Sequence, residues 1–212
     1  MGSSTPEAPH QGDASLDFAH FVRQVLDALE ATHLTYLVGG AVAVWAWGEV
    51  RTTRDLDLVI ELPVEAITDL SRELAQRGML VPADIILDIL IFSRSDLAID
   101  AIHMYSGYKA ELFLLRPGDA YRAQALERRL LVDLGPPIGE VWVHSPEDLI
   151  LYKLRYFRIS RQPKHVRDIA SIMFTLGKEL ELDYIIGWAE RLGLTETWQE
   201  VGEEVSRILN AR

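Results

Sequence analysis

Asp55 and Asp57 stand two residues apart in RTTRDLDLVIEL, where a polar segment gives way to a hydrophobic strand. Alternate residues of a strand project from one face, so the two carboxylates point the same way. Side by side they repel each other, and a divalent cation resolves that conflict. Mg²⁺ is typically held by one or two carboxylates together with substrate phosphates. The plainer alternative is a solvated strand entrance in which Asp55 pairs with Arg51 or Arg54. Gly39 and Gly40 bear on the choice. They fall between the strand TYLV and an apolar helix, where a missing Cβ lets phosphate approach the amides of a helix start. Taken together, glycines and acids describe a nucleotide triphosphate at one end and its metal at the other.

The chain around them is that of an ordinary globular protein. Its 212 residues suffice for one good core, or for a catalytic domain with a smaller one attached. No apolar run reaches the ~18 residues of a membrane helix, and no membrane association is expected. Residues 1–14 are polar, lack the apolar core of a signal peptide, and are expected to form a disordered tail. There is no cysteine, which excludes disulfides, thiolate metal sites and a cysteine nucleophile, and points to the cytoplasm. The six histidines lack ligand spacing, which argues against zinc. A net charge of −11 works against a protein that coats nucleic acid. A local groove remains open, because Arg122, Arg128, Arg129, Lys153, Arg155, Arg158, Arg161, Lys164 and Arg167 concentrate positive charge late in the chain. A solvated basic face explains the same residues equally well.

Several elements must position these groups. Residues 15–32 carry apolar side chains at helical spacing, with Asp13 or Ser15 as cap candidates. TYLV reads as a buried strand, and AVAVWAWGE as a buried helix stopped by Gly48, with Trp45 and Trp47 in the core. LDLVIEL is a strand ending at Pro63. Helices are expected over 64–77 and 82–92. LAIDAIHM and KAELFLL flank the turn YSGY as a hairpin, and RRLLVDL pairs with GEVWVHS around GPP. SPED is a helix start, with Ser145 as cap and Pro146 at the first position. Helices over 163–177, 181–193 and 195–210 follow. The expected organisation is a mixed α/β part over 15–144 and a helical part over 145–212.

Gly39-Gly40 followed by Arg51-x-Thr53-x-Asp55-x-Asp57 resembles the signature of the polymerase-β-type nucleotidyltransferase superfamily. It is most similar to the minimal and abortive-infection (AbiEii-like) branch, which includes toxins of toxin–antitoxin pairs. The resemblance spans roughly residues 36–170. It implies an α+β fold: a nucleotidyltransferase-type mixed β-sheet flanked by helices, followed by a C-terminal helical bundle. It further implies an NTP substrate, Mg²⁺ in a one- or two-ion site, and a third acid on a later strand, within a pattern similar to SGxKxDxF. SGYKAELF puts Glu111 in that slot, one methylene longer than the commoner Asp. Asp100 is the rival, since hairpin register could set it on the same face. SPEDLILYKL and HVRD resemble the family's helical segment, and match Lys153 and Asp168 to its functional lysine and aspartate.

On that resemblance, Asp55, Asp57 and Glu111 are the metal ligands and catalytic residues, and Glu111 can take the proton of the attacking hydroxyl. Gly39 and Gly40 give amides to phosphate. Arg51 and Thr53 either touch phosphate or cap the strand entrance locally. Lys153 interrupts the stripe Ile150, Leu154, Phe157, and a buried ammonium needs a partner. Triphosphate, a structural acid, or snorkelling to the surface would each serve. Asp168 could pair with Lys153 or Arg167. Tyr152, Tyr156 and Phe157 are either base-stacking residues or core. The expected activity is transfer of NMP from an NTP to an acceptor: a tRNA 3′ end, favoured by the basic stretch, a protein, or a small-molecule hydroxyl. The chain would be a toxin with a cognate antitoxin if it follows that branch. The alternative is a non-catalytic nucleotide- or partner-binding module that keeps the fold.

Overall fold

The computed structural model describes residues 16–92 and 97–210. The expected N-terminal tail and the cap candidates Asp13 and Ser15 lie outside the described residues. Helix α1 (Phe18–Ala31) is capped by Asp17, whose carboxylate accepts from the His20 amide at 2.8 Å. The chain continues through β1 (Thr35–Val38), α2 (Gly40–Trp47), β2 (Asp55–Glu61), α3 (Ile67–Gln76) and α4 (Ala83–Phe92). Next come β3 (Ala98–Ile102), β4 (Lys109–Leu114), α5 (Ala120–Glu127), β5 (Leu130–Asp133) and β6 (Glu140–Val143). Helices α6 (Pro146–Ser160), α7 (Pro163–Leu176), α8 (Leu182–Arg191) and α9 (Thr195–Asn210) close the described chain.

The six strands form one mixed sheet in the order β3-β4-β2-β1-β6-β5. Strand β2 is central, antiparallel to β1 and parallel to β4. This is the mixed sheet flanked by helices, with helices following it, that the sequence leads one to expect. Strand β2 is buried on both sides beyond its first residues, with Leu58 and Ile60 on one face and Val59 on the other at most 3% exposed. Its apolar composition follows from that double cover.

Two local expectations change. Residues 64–66 form a 3₁₀ turn after Pro63, and the α-helix begins only at Ile67. Helix α5 was not anticipated; its capping signal, Asp119 after Pro117-Gly118, is a readable one, and the Asp119 carboxylate accepts from the Arg122 amide at 2.9 Å. The SPED start of α6 forms as expected, with the Ser145 hydroxyl accepting from the Asp148 amide at 3.2 Å. Behind that cap Leu149, Ile150, Leu151 and Leu154 are fully buried, each contributing roughly 1.5–3 kcal/mol of hydrophobic stabilisation. Helix α2 is apolar all round because β2, α6 and α7 all contact it. That enclosure sets the glycines at its start against the mouth of β2.

Candidate active site

Strand pairing builds the acidic patch. The register places Asp55 beside Lys109 and Asp57 beside Glu111, so side chains from β2 and β4 share one face. Asp100 on β3 lies opposite Glu111. It is exposed on the edge strand, one strand further from Asp57, and Glu111 but not Asp100 lines the cleft. Asp55 is exposed at the strand entrance, while Asp57 is partly covered. Burial, and then the charge of Glu111, push the Asp57 carboxyl up to about 6. Lys109 Nζ lies 2.6 Å from Glu111 Oε1.

The glycines hold the acid as much as they open space. The Gly39 amide donates to the Asp57 carbonyl at 2.8 Å, so that amide is already engaged. Gly40 has φ +59°, and a Cβ there would overlap the Asp57 carboxylate. The expectation of a free amide is corrected for Gly39, which fixes β2; the room left by the missing Cβ of Gly40 is occupied by the Asp57 carboxylate. A Cβ on Gly39 would crowd the His144 ring at 3.2 Å.

His144 escaped sequence reasoning. It is 2% exposed at the end of β6 and lines the same cleft. Its Nδ1 lies 3.3 Å from the Val38 carbonyl, and its ring meets Tyr152 edge-on at 4.5 Å. Its Nε2 has no hydrogen-bond partner among the described residues. Burial pushes the imidazole down to about 3, so it is neutral at physiological pH.

Asp168 gathers the cations. Arg51 grips it with two N–H groups, Nε to Oδ1 at 2.9 Å and Nη2 to Oδ2 at 3.1 Å. Lys153 Nζ donates to Oδ2 at 2.6 Å. Burial works to raise the Asp168 carboxyl, but Arg51 and Lys153 overcome it and hold the group below its ordinary value. Burial lowers Lys153, with Asp168 opposing. The partner of the buried ammonium is therefore a structural acid, and Asp168 pairs with Arg51 and Lys153, not Arg167. Thr53 acts locally, its hydroxyl donating to the Asp55 carbonyl at 3.1 Å. Neither arginine proposed for Asp55 pairs with it: Arg51 is held by Asp168, and Arg54 lies over the Tyr108 ring at 5.4 Å.

A cleft of about 240 Å³ joins these groups: Gly39, Gly40, Arg51, Thr53, Asp55, Asp57, Glu111, His144 and Lys153 all line it. Asp168 stands behind Arg51 and Lys153. At the far end lie Tyr156, Gln162, Lys164 and His165, where Tyr156 and His165 stack at 6.0 Å. Of the three aromatics weighed for base stacking, Tyr152 and Phe157 are buried and Tyr156 is 38% exposed. The basic stretch is largely engaged within the fold. Arg122 is buried against Tyr152, Arg128 reaches Glu147 and Glu181, Arg158 reaches the Gly193 carbonyl, and Arg161 pairs with Glu200.

The donor chemistry fits Mg²⁺. Every candidate ligand is a carboxylate oxygen, and the register sets Asp57 beside Glu111 on one face. The enclosure is loose: among the described residues no three His, Asp or Glu side chains are gathered closely enough to hold one ion by themselves. That suits an ion whose remaining ligands come from water and substrate. Among the described residues, too, no helix is long and apolar enough to cross a membrane.

No family model and no curated protein sequence matches the chain. Solved structures do. The antibiotic-resistance factor ANT(2″)-Ia in solution superposes with a TM-score of 0.57 at 16% identity, over 86% of this chain and 96% of that one. A crystal structure of ANT(2″)-Ia with adenylyl-2″-tobramycin gives 0.56 at 19% identity, over 82% and 98%. Both alignments run over nearly the whole of the known protein. The chain therefore has a nucleotidyltransferase-like fold.

Proposed function

We propose that the protein is a nucleotidyltransferase, moving NMP from an NTP to an acceptor hydroxyl with pyrophosphate as leaving group. The observation that carries this reading is the pairing of Asp57 with Glu111 across parallel strands, beneath a helix start whose glycine makes room for the acid. In such transfer the protein mostly positions reactants and neutralises charge. Asp55 and Asp57 would hold Mg²⁺ with Glu111 beside them, and the ion would supply charge neutralisation on the nucleotide phosphates. Glu111 accepts the proton of the attacking hydroxyl. The first-turn amides of α2 beyond Gly39, with Arg51 and Lys153, face the polyphosphate. Asp168 orients both cations rather than touching the nucleotide.

A small cationic polyhydroxyl acceptor ranks first. The net charge of −11 attracts such a molecule, and the basic residues that would favour tRNA are engaged within the fold. ANT(2″)-Ia, with its adenylylated tobramycin, lends support at the level of fold. A tRNA 3′ end or a protein, as in the AbiEii-like toxins with their antitoxins, ranks second. In either case the NTP and Mg²⁺ of the cytoplasm would serve the reaction.

The test incubates the purified chain with Mg²⁺, each NTP labelled at the α- or γ-phosphate, and three acceptor pools: aminoglycosides, total tRNA and lysate protein. Transfer of α-label without γ-label, lost in Asp57→Ala with the fold intact, supports the reading and names the acceptor. Nucleotide binding that survives Asp57→Ala with no transfer to any pool would favour a non-catalytic module.

A further inference from the structure

We propose that Lys109 takes the place of a second divalent cation, so that the acidic cleft holds one metal ion per chain. The inference rests on the nucleotidyl-transfer reading and specifies its metal requirement.

The register gathers more negative charge than one ion needs. Asp55 and Asp57 on β2 face Lys109 and Glu111 on β4, and Asp100 on β3 lies opposite Glu111. Neighbouring strands lie ~4.8 Å apart, so four carboxylates surround the reach of one lysine side chain. Lys109 is 30% exposed and Glu111 27%, and their charged atoms lie 2.6 Å apart. This ion pair occupies Glu111 Oε1.

A second ion would need Glu111 as one of its ligands. With Oε1 already on Lys109, an ion placed there meets the ammonium at close range, and the like charges repel. Asp55 and Asp57 are differently placed. Asp55 is open to solvent at the strand entrance, and Asp57 lies two residues on along the same face of β2. One ion at this pair, with Lys109 bound to Glu111, offsets three of the four negative charges. Lys109 then acts through Glu111: it fixes the carboxylate beside Asp57. It is a positioning residue.

The experiment counts bound Mn²⁺ per chain by electron paramagnetic resonance, using the full chain and Mn²⁺ alone. Wild type is expected to bind one ion. Lys109→Met, which keeps most of the stem, should bind two, whereas Lys109→Arg should bind one. Adding Glu111→Gln to Lys109→Met should bring the count back to one, because the second ion needs Glu111. Circular dichroism melts confirm that each variant is folded. Two ions in wild type, or one in Lys109→Met, overturns the inference. If α-label transfer dependent on Asp57 persists in that case, the transferase reading stands. No bound ion in wild type overturns the inference, and absence of transfer in the same preparation overturns both.

Discussion

The carboxylate of Asp57 occupies the space beside the bare Cα of Gly40, where any other residue would place its Cβ. Gly40 also sits at φ +59°, a backbone region that side chains resist. One glycine thus meets two demands: the turn from β1 into α2, and room for the acid of the neighbouring strand. The Gly39 amide, bound to the Asp57 carbonyl, locks the same two segments together.

Gly40→Ala should therefore cost both terms. The left-handed conformation accounts for about 1 kcal/mol and the steric overlap for roughly 1–3 more. In an Asp57→Ala background most of the steric part should disappear, leaving the conformational part and the 3.0 Å contact with the remaining Cβ. Urea unfolding of the four proteins of that cycle measures the coupling; additive costs would show that the two residues do not meet.

Asp57 should trade stability for its place in the cleft. Its folded carboxyl titrates near 6 against an ordinary 3.8, so its contribution to stability falls as pH rises from about 4 to about 6. Above that range Asp57→Asn should be more stable than wild type, on the order of 2 kcal/mol in the absence of metal. At pH 4 the two should converge. Urea midpoints at pH 4 and pH 8 with a chelator present decide this, and equal stability at pH 8 would contradict it.

How much of this was legible in the sequence varies by distance along the chain. The two-residue period of a strand set Asp55 and Asp57 on one face, and the same alternation lined up Lys109, Glu111 and Phe113. Those are local facts. The pairing of β2 with β4 is not local, so whether Glu111 or Asp100 lies next to Asp57 depended on a register that only the fold supplies. The Arg51–Asp168 fork spans 117 residues, and no spacing rule connects its partners. Lys153 was readable as an anomaly in an apolar stripe, but not its partner. His144 carried no signal beyond its position between a strand and a capping serine.

The cation cluster should respond asymmetrically. Lys153→Met leaves Asp168 still gripped by Arg51, whereas Asp168→Ala strands a buried ammonium. Removing one partner of a buried pair typically costs about 3–5 kcal/mol. Asp168→Ala should reach that range and Lys153→Met fall clearly below it, both read from urea unfolding at pH 7. Equal costs would argue that Arg51 does not share the carboxylate.

Acidification should weaken the fold through His144. Its folded imidazole titrates near 3 against an ordinary 6.5, so the unfolded chain takes up the proton first. Stability is full above pH 6.5 and is lost as pH falls toward 3, roughly 2 kcal/mol by pH 5. His165, lowered to about 4, adds in the same direction, and Asp57 opposes both. His144→Gln should flatten the profile between pH 6.5 and 4. A wild-type profile already flat over that interval would refute the neutral, buried imidazole.

The most direct measurement is a crystal of the chain soaked with Mn²⁺ and a non-hydrolysable ATP analogue, viewed at the manganese anomalous edge. An anomalous peak is expected against the Asp55 and Asp57 carboxylates, with the triphosphate running along the first turn of α2 toward Arg51 and Lys153. Nucleotide bound elsewhere, or a cleft empty of metal at saturating Mn²⁺, would contradict it.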